Sequence, residues 1–142
     1  MDRDTSGSGA HLALTYYFYP DAACATDTCQ LEVGYISSPD GGAHWGDPTT
    51  LAGPMSLNDI ALTSQGPMVG DYISTSFSGG NATTVFAVGN PHTGSAFDEA
   101  VYAPTTPLPV ATAAEATRVA SSAGAQGGGQ GTGEAHHAIR ND

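Results

Sequence analysis

The sequence predicts an all-β fold of short antiparallel strands that gives way to a disordered C-terminal tail. Three observations predict it. Short apolar and aromatic segments with alternating character recur over residues 9–103, and clusters of Gly, Pro, Asn and Ser separate them. A Gly-Gly pair sits between two such segments, as a tight hairpin requires. From Ala111 onward the chain is mostly Ala, Gly, Ser, Thr and Gln, with almost nothing to bury. The expected organisation is a flexible segment over residues 1–8, a foldable region over 9–103 and a Pro/Ala/Gly-rich disordered tail over 104–142.

The elements follow in chain order. His11–Phe18 is rich in β-favouring residues, with Leu12, Leu14 and Tyr16 on one side, and Pro20 and Asp21 end it. Leu31–Ile36 alternates with Leu31, Val33 and Tyr35 on one face, so a second strand runs antiparallel to the first across the intervening loop. A turn over Ser38–Trp45 leads to a third strand near Pro48–Leu51, and Gly53–Pro67 reads as a long irregular connection. Met68–Phe77 and Ala82–Val88 form a hairpin across Ser78-Gly79-Gly80-Asn81, whose glycines supply positive φ at no steric cost. Phe97–Tyr102 is one more strand, after which Pro104, Pro107 and Pro109 end regular structure. Ala111–Ala120 is the only helix-compatible stretch, and it lacks an apolar stripe.

Composition narrows the function classes. Fourteen acidic residues stand against three basic ones, Arg3, Arg118 and Arg140, with no lysine. Nucleic acid and anionic membrane surfaces are both excluded as expected partners, because each requires clustered cations. The acidity itself reads as solubility. No apolar run reaches the roughly 20 residues that cross a bilayer, and the start of the chain, Met1–Gly9, lacks the apolar core of a signal peptide. A signal for export is therefore expected upstream of Met1. Cys24 and Cys29 stand too far apart for a Cys-x-x-Cys redox or zinc motif and lack further ligands nearby. A small disulfide-closed loop is the favoured reading, with an extracellular location as its corollary; two reduced thiols in a loop are the alternative.

Ser38-Pro39-Asp40-Gly41-Gly42-Ala43-His44-Trp45 fits the pattern Ser/Thr-x-Asp-x-Gly-x-x-Trp at every specified position. In such a turn the carboxylate accepts backbone N–H bonds, the glycine permits the bend and the tryptophan folds back on the sheet as an anchor. Ser38, Asp40, Gly42 and Trp45 thereby resemble the Asp box of sialidases and other bacterial-neuraminidase-repeat proteins. Residues 9–103 as a whole are similar to the C-terminal part of secreted actinobacterial sialidase-family proteins. The resemblance implies antiparallel four-stranded blades of a sialidase-like β-propeller, about one and a half of them. The first blade would lack its innermost strand and the second its outermost. It further implies that the Asp box joins the third and fourth strands of a blade, away from the central site, so that Asp40 is structural. Taken alone, such a piece would leave blade faces open near Leu12, Val33, Phe86 and Val88.

A sialidase of this kind holds its substrate carboxylate with three arginines and uses a tyrosine nucleophile, a glutamate and an aspartate. This chain has no arginine between residues 4 and 117, so its foldable region cannot build that clamp. Asp71 and Tyr72, on the expected inner strand, are the best remaining candidates for a glycan contact; their structural alternative is a capped turn and inter-blade packing. Asp98 and Glu99 are adjacent on a strand and point to opposite faces. His136-His137 falls in the tail, Asn81-Ala82-Thr83 is a formal glycosylation triplet, and His44 takes a variable, exposed position in its turn. No metal site and no cofactor are expected. The expected function is scaffold for a secreted glycoside hydrolase of the exo-α-sialidase type acting on a glycan or glycoconjugate, inactive without the missing blades. The alternatives are a non-catalytic propeller that binds glycan or protein, and a truncated reading frame without independent function.

Overall fold

The computed structural model describes residues 1–25, 27–70 and 73–118. The described residues are mostly β, in antiparallel sheets, with one short α-helix over residues 113–118. Strands β1 (Leu12–Phe18), β2 (Gln30–Ser38) and β3 (Thr49–Ser56) form a three-stranded meander in that order. The β1–β2 register runs unbroken from Leu12 opposite Ser38 to Phe18 opposite Glu32. As the central strand, β2 carries most of the burial, with Val33, Tyr35, Ser37 and Ser38 all buried.

Two short strands, β4 (Leu62–Thr63) and β5 (Gly66–Pro67), pair in a small hairpin before the second meander. That meander consists of β6 (Ser74–Ser78), β7 (Asn81–Asn90) and β8 (Asp98–Tyr102), again in sequential order. The β6–β7 turn uses Gly79 and Gly80 at φ 57° and 77°, the paired left-handed conformation of a two-residue hairpin.

The two meanders pack on each other, β3 against β7 and β1 against β6. Val33, Met55, Ile60 and Phe86 form the buried centre, with Tyr17, Leu51 and Val88 packed around it. Val33 and Phe86 are thus covered by the opposite sheet, contrary to the expectation of open blade faces near them: two half-buried faces of one chain suffice to cover each other. Polar groups cross the interface as well. The Tyr17 hydroxyl donates to Ala87 O and accepts from Ala87 N–H, both at 2.9 Å. The hydroxyl thus takes both backbone groups of one β7 residue. Burial raises the Tyr17 and Tyr35 hydroxyls above the ordinary phenol value, against a smaller lowering from their hydrogen bonds.

Several boundaries differ from the sequence expectation. The two larger sheets have three strands each, the number expected of this chain, and the differences lie in the strand ends. The strand expected over Met68–Phe77 begins at Ser74, because Gly70 takes φ 121° and Met68 N–H is bonded back to Ala61 O, closing the small hairpin. β3 continues to Ser56, past Gly53-Pro54, because register shifts against β2 absorb the irregular pair on an edge strand where a proline costs no ladder bond.

Neither end of the described chain is contact-free. Asp2 is buried, its N–H bonded to His11 O and one of its carboxylate oxygens accepting from Asp4 N–H. Beyond Pro104, Leu108 exchanges both backbone bonds with Ala82, and Pro107 and Pro109 on either side are tolerated because only Leu108 needs its N–H there. The segment then straps across the first sheet, with Tyr35 Oη donating to Pro109 O and Ala111 N–H donating to Ser37 Oγ. Gly46 allows that approach, since a Cβ there would lie 2.5 Å from the Ala111 methyl. The tail expected to be disordered from 104 is therefore structured through 118; its remainder lies outside the described residues.

Candidate functional site

The turn joining β2 to β3 is organised around two side chains. Ser38 Oγ, fully buried, donates to Asp40 Oδ1 at 2.9 Å and accepts from the backbone N–H of Gly42 at 2.9 Å and of Asp40 at 3.3 Å. Asp40 Oδ1 also accepts from His44 N–H at 2.8 Å, and Asp40 Oδ2 lies 2.6 Å from His44 Nδ1. Gly42 is at φ 92°, a conformation closed to most side chains. Trp45 is half-buried beside Gly42, so its anchoring is weaker than that of a fully buried aromatic.

His44, read from sequence as a bystander, is the second partner of the carboxylate. Its backbone N–H and then its ring hold the Asp40 carboxyl below the ordinary aspartate value. The ionised form is thus favoured in the fold. The stability this contributes is present above the unfolded aspartate value and is lost as pH falls through the lower folded one.

The other sequence candidates are dispersed. Cys24 and Cys29 form a disulfide closing a small exposed loop. Asp71 and Tyr72, and likewise His136 and His137, lie outside the described residues. On β8 Glu99 accepts from Ala61 N–H while Asp98 sits at the opposite end of the pleat, so the two carboxylates do not face one another.

A cleft of about 570 Å³ opens between the strap and the first sheet, a feature the sequence reading missed. Tyr35, Asp47 and Thr49 line its sheet side, and Glu115 and Arg118 its helix side. The helix wall is fixed by a capping box. Thr112 N–H and Oγ1 each donate to Glu115 Oε2 at 2.7 Å, and Glu115 N–H donates back to Thr112 Oγ1. Those bonds to Thr112 lower the Glu115 carboxyl, aided by the nearby Arg118 charge. The signal was in the sequence as Thr112-x-x-Glu115 at the start of the helix-compatible stretch Ala111–Ala120. Chemically the cleft offers carboxylates, hydroxyls and one guanidinium around an apolar wall at Leu108 and Val110, a lining suited to polar ligands with an apolar face. Among the described residues no group of three or more His, Cys, Asp and Glu could hold a metal ion, and no helix is long and apolar enough to cross a membrane.

No family model, curated protein or solved structure matches this chain.

Proposed function

We propose that the chain is a scaffold portion of a secreted, sialidase-like β-propeller glycoside hydrolase, with its carboxylates serving structure and the substrate-holding arginines supplied by sequence outside these residues. The observation that carries the reading is the hydrogen-bonded turn of Ser38, Asp40, Gly42 and His44 at the β2–β3 connection. In it Asp40 accepts a backbone N–H within the loop and Gly42 takes a positive φ, which supports reading the turn as an Asp box. The two consecutive three-stranded meanders support the same reading, as neighbouring blades each one strand short. The acidities agree with a scaffold role: the shifts of Asp40 and Glu115 are both downward, whereas a glycosidase general acid needs its pKa raised. The Cys24–Cys29 disulfide is compatible with a location outside the cytoplasm.

A second reading, a propeller that binds glycan or protein without catalysis, is favoured by the strap cleft, which presents the single guanidinium of Arg118 where a carboxylate clamp would use several.

One experiment separates the two. The genomic region upstream of Met1 is sequenced, the longest continuous reading frame is expressed, and turnover of a fluorogenic sialoside is assayed beside residues 1–142. Further Ser/Thr-x-Asp-x-Gly-x-x-Trp turns, several strand-borne arginines and turnover by the longer protein alone are the expected result. Repeated turns without turnover favour the binding module. A frame that adds no such turn overturns the propeller reading, and turnover by residues 1–142 alone overturns the scaffold role.

A further inference from the structure

The second meander ends on a strand whose outer edge no described residue covers. All five residues of β8 are exposed, with Val101 at 73% and Tyr102 at 43%. An open edge presents unpaired N–H and C=O groups, and folds blunt such edges with prolines, lysines, bulges or a covering segment. The other outer strands show these devices: β3 carries Pro54 and register shifts, and β1 and β6 lie against one another. β8 has no proline, lysine or bulge; its protection is its five-residue length and the charges of Asp98 and Glu99.

The backbone groups that face outward can be identified. Ala87 N–H and C=O are both taken by the Tyr17 hydroxyl, so they point away from β8. Ala82, five residues earlier on β7, exchanges its bonds with Leu108 on the β8 side. In an antiparallel ladder the two directions alternate, so Phe86, Val88 and Asn90 bond across to Tyr102, Ala100 and Asp98. The backbone N–H and C=O of Glu99 and Val101 are left pointing into solvent.

We propose that two copies of this chain pair through β8, antiparallel and centred on Ala100, to join their second meanders into one six-stranded sheet. In that register Glu99 of each copy lies opposite Val101 of the other, and the four outward N–H and C=O groups of each copy are satisfied by its mate. Charge disfavours two of the alternatives. Parallel pairing, or an antiparallel pair centred on Glu99, sets acidic side chains side by side, which disfavours a sheet. Centring on Ala100 puts Asp98 opposite Tyr102 and Glu99 opposite Val101, apolar residues against acidic ones. The interface is one short strand, so the dimer is weak and concentration-dependent. Each chain carries a net charge of −11, so salt strengthens pairing by screening the repulsion between copies. The proposal competes with the propeller reading, in which the same β8 edge takes the blade's missing outermost strand.

The test uses residues 1–142 in sedimentation velocity over about a hundredfold range of concentration, at low and high salt, with amide hydrogen exchange on the same samples. A dimer that grows with concentration and with salt is expected, and with about nine-tenths of the chains paired the Glu99 and Val101 amides exchange about tenfold more slowly. Val101→Pro removes an outward N–H and spares the ladder to β7, so it leaves the chain folded and monomeric. A chain that stays monomeric at every concentration and salt overturns the proposal. So does a dimer in which the Glu99 and Val101 amides keep their dilute exchange rates, or one that a folded Val101→Pro forms as readily; the exchange measurement on the unaltered chain decides the matter if that variant does not fold.

Discussion

Phe86→Ala is expected to lower the stability of the fold by about 3–5 kcal/mol, the range for truncating a well-buried aromatic. Phe86 is 3% exposed and lies in the cluster with Val33, Met55 and Ile60, so its ring belongs to the surface that joins the two meanders. Both sheets should loosen together, because each is only three strands and buries a single face. Urea unfolding followed by far-ultraviolet circular dichroism and by Trp45 fluorescence checks this. The expected result is one transition, coincident in both probes, that moves to much lower denaturant in the variant. Trp45 belongs to the first meander and Phe86 to the second, so a fluorescence transition unmoved by Phe86→Ala would mean that the sheets unfold independently.

Ser38→Ala is expected to cost about 1–3 kcal/mol, out of proportion to one oxygen atom, because the lost hydroxyl leaves polar groups unpaired at a buried position. Ser38 is fully buried, and its hydroxyl serves Asp40 Oδ1, Asp40 N–H and Gly42 N–H together. Ser38→Thr keeps the oxygen and serves as the control. The same denaturation measurement gives the ranking, with Ser38→Ala well below Ser38→Thr; equal loss in both would mean that packing at residue 38 and not the hydroxyl sets the cost.

The sheets were legible in the sequence wherever one face of a strand is buried. Val33 and Tyr35 alternate with Glu32 and Gly34 and recover β2, and Gly79-Gly80 marks its hairpin by the backbone conformation it permits. What failed was the reading of breakers. Gly53-Pro54 looked like the end of a strand and sits inside β3, on an edge where a missing N–H costs nothing, whereas Gly70 inside an apparently continuous strand does interrupt it. Pro107-Leu108-Pro109 was read as the end of structure, yet one residue between two prolines suffices to bond Ala82. Local pattern cannot show a contact between residues so far apart in the chain.

The turn was legible in its fixed positions and not in its variable one. Ser38, Asp40 and Gly42 are joined by hydrogen bonds within the turn, but His44 becomes a partner of Asp40 only because the bend brings positions four apart into contact. The strap cleft was invisible for a different reason: its two walls lie far apart in sequence and meet only through the Tyr35–Pro109 and Ser37–Ala111 bonds.

That Asp40 is a structural carboxylate is the claim on which the scaffold role most depends, and the titration of its side-chain carboxyl by carbon NMR tests it most directly. In residues 1–142 the Asp40 carboxyl is expected to titrate below the ordinary aspartate value and to move back up in His44→Ala, since the His44 ring is one of the groups that lower it. A carboxyl that titrates above the ordinary value, as a general acid must, would contradict the structural assignment.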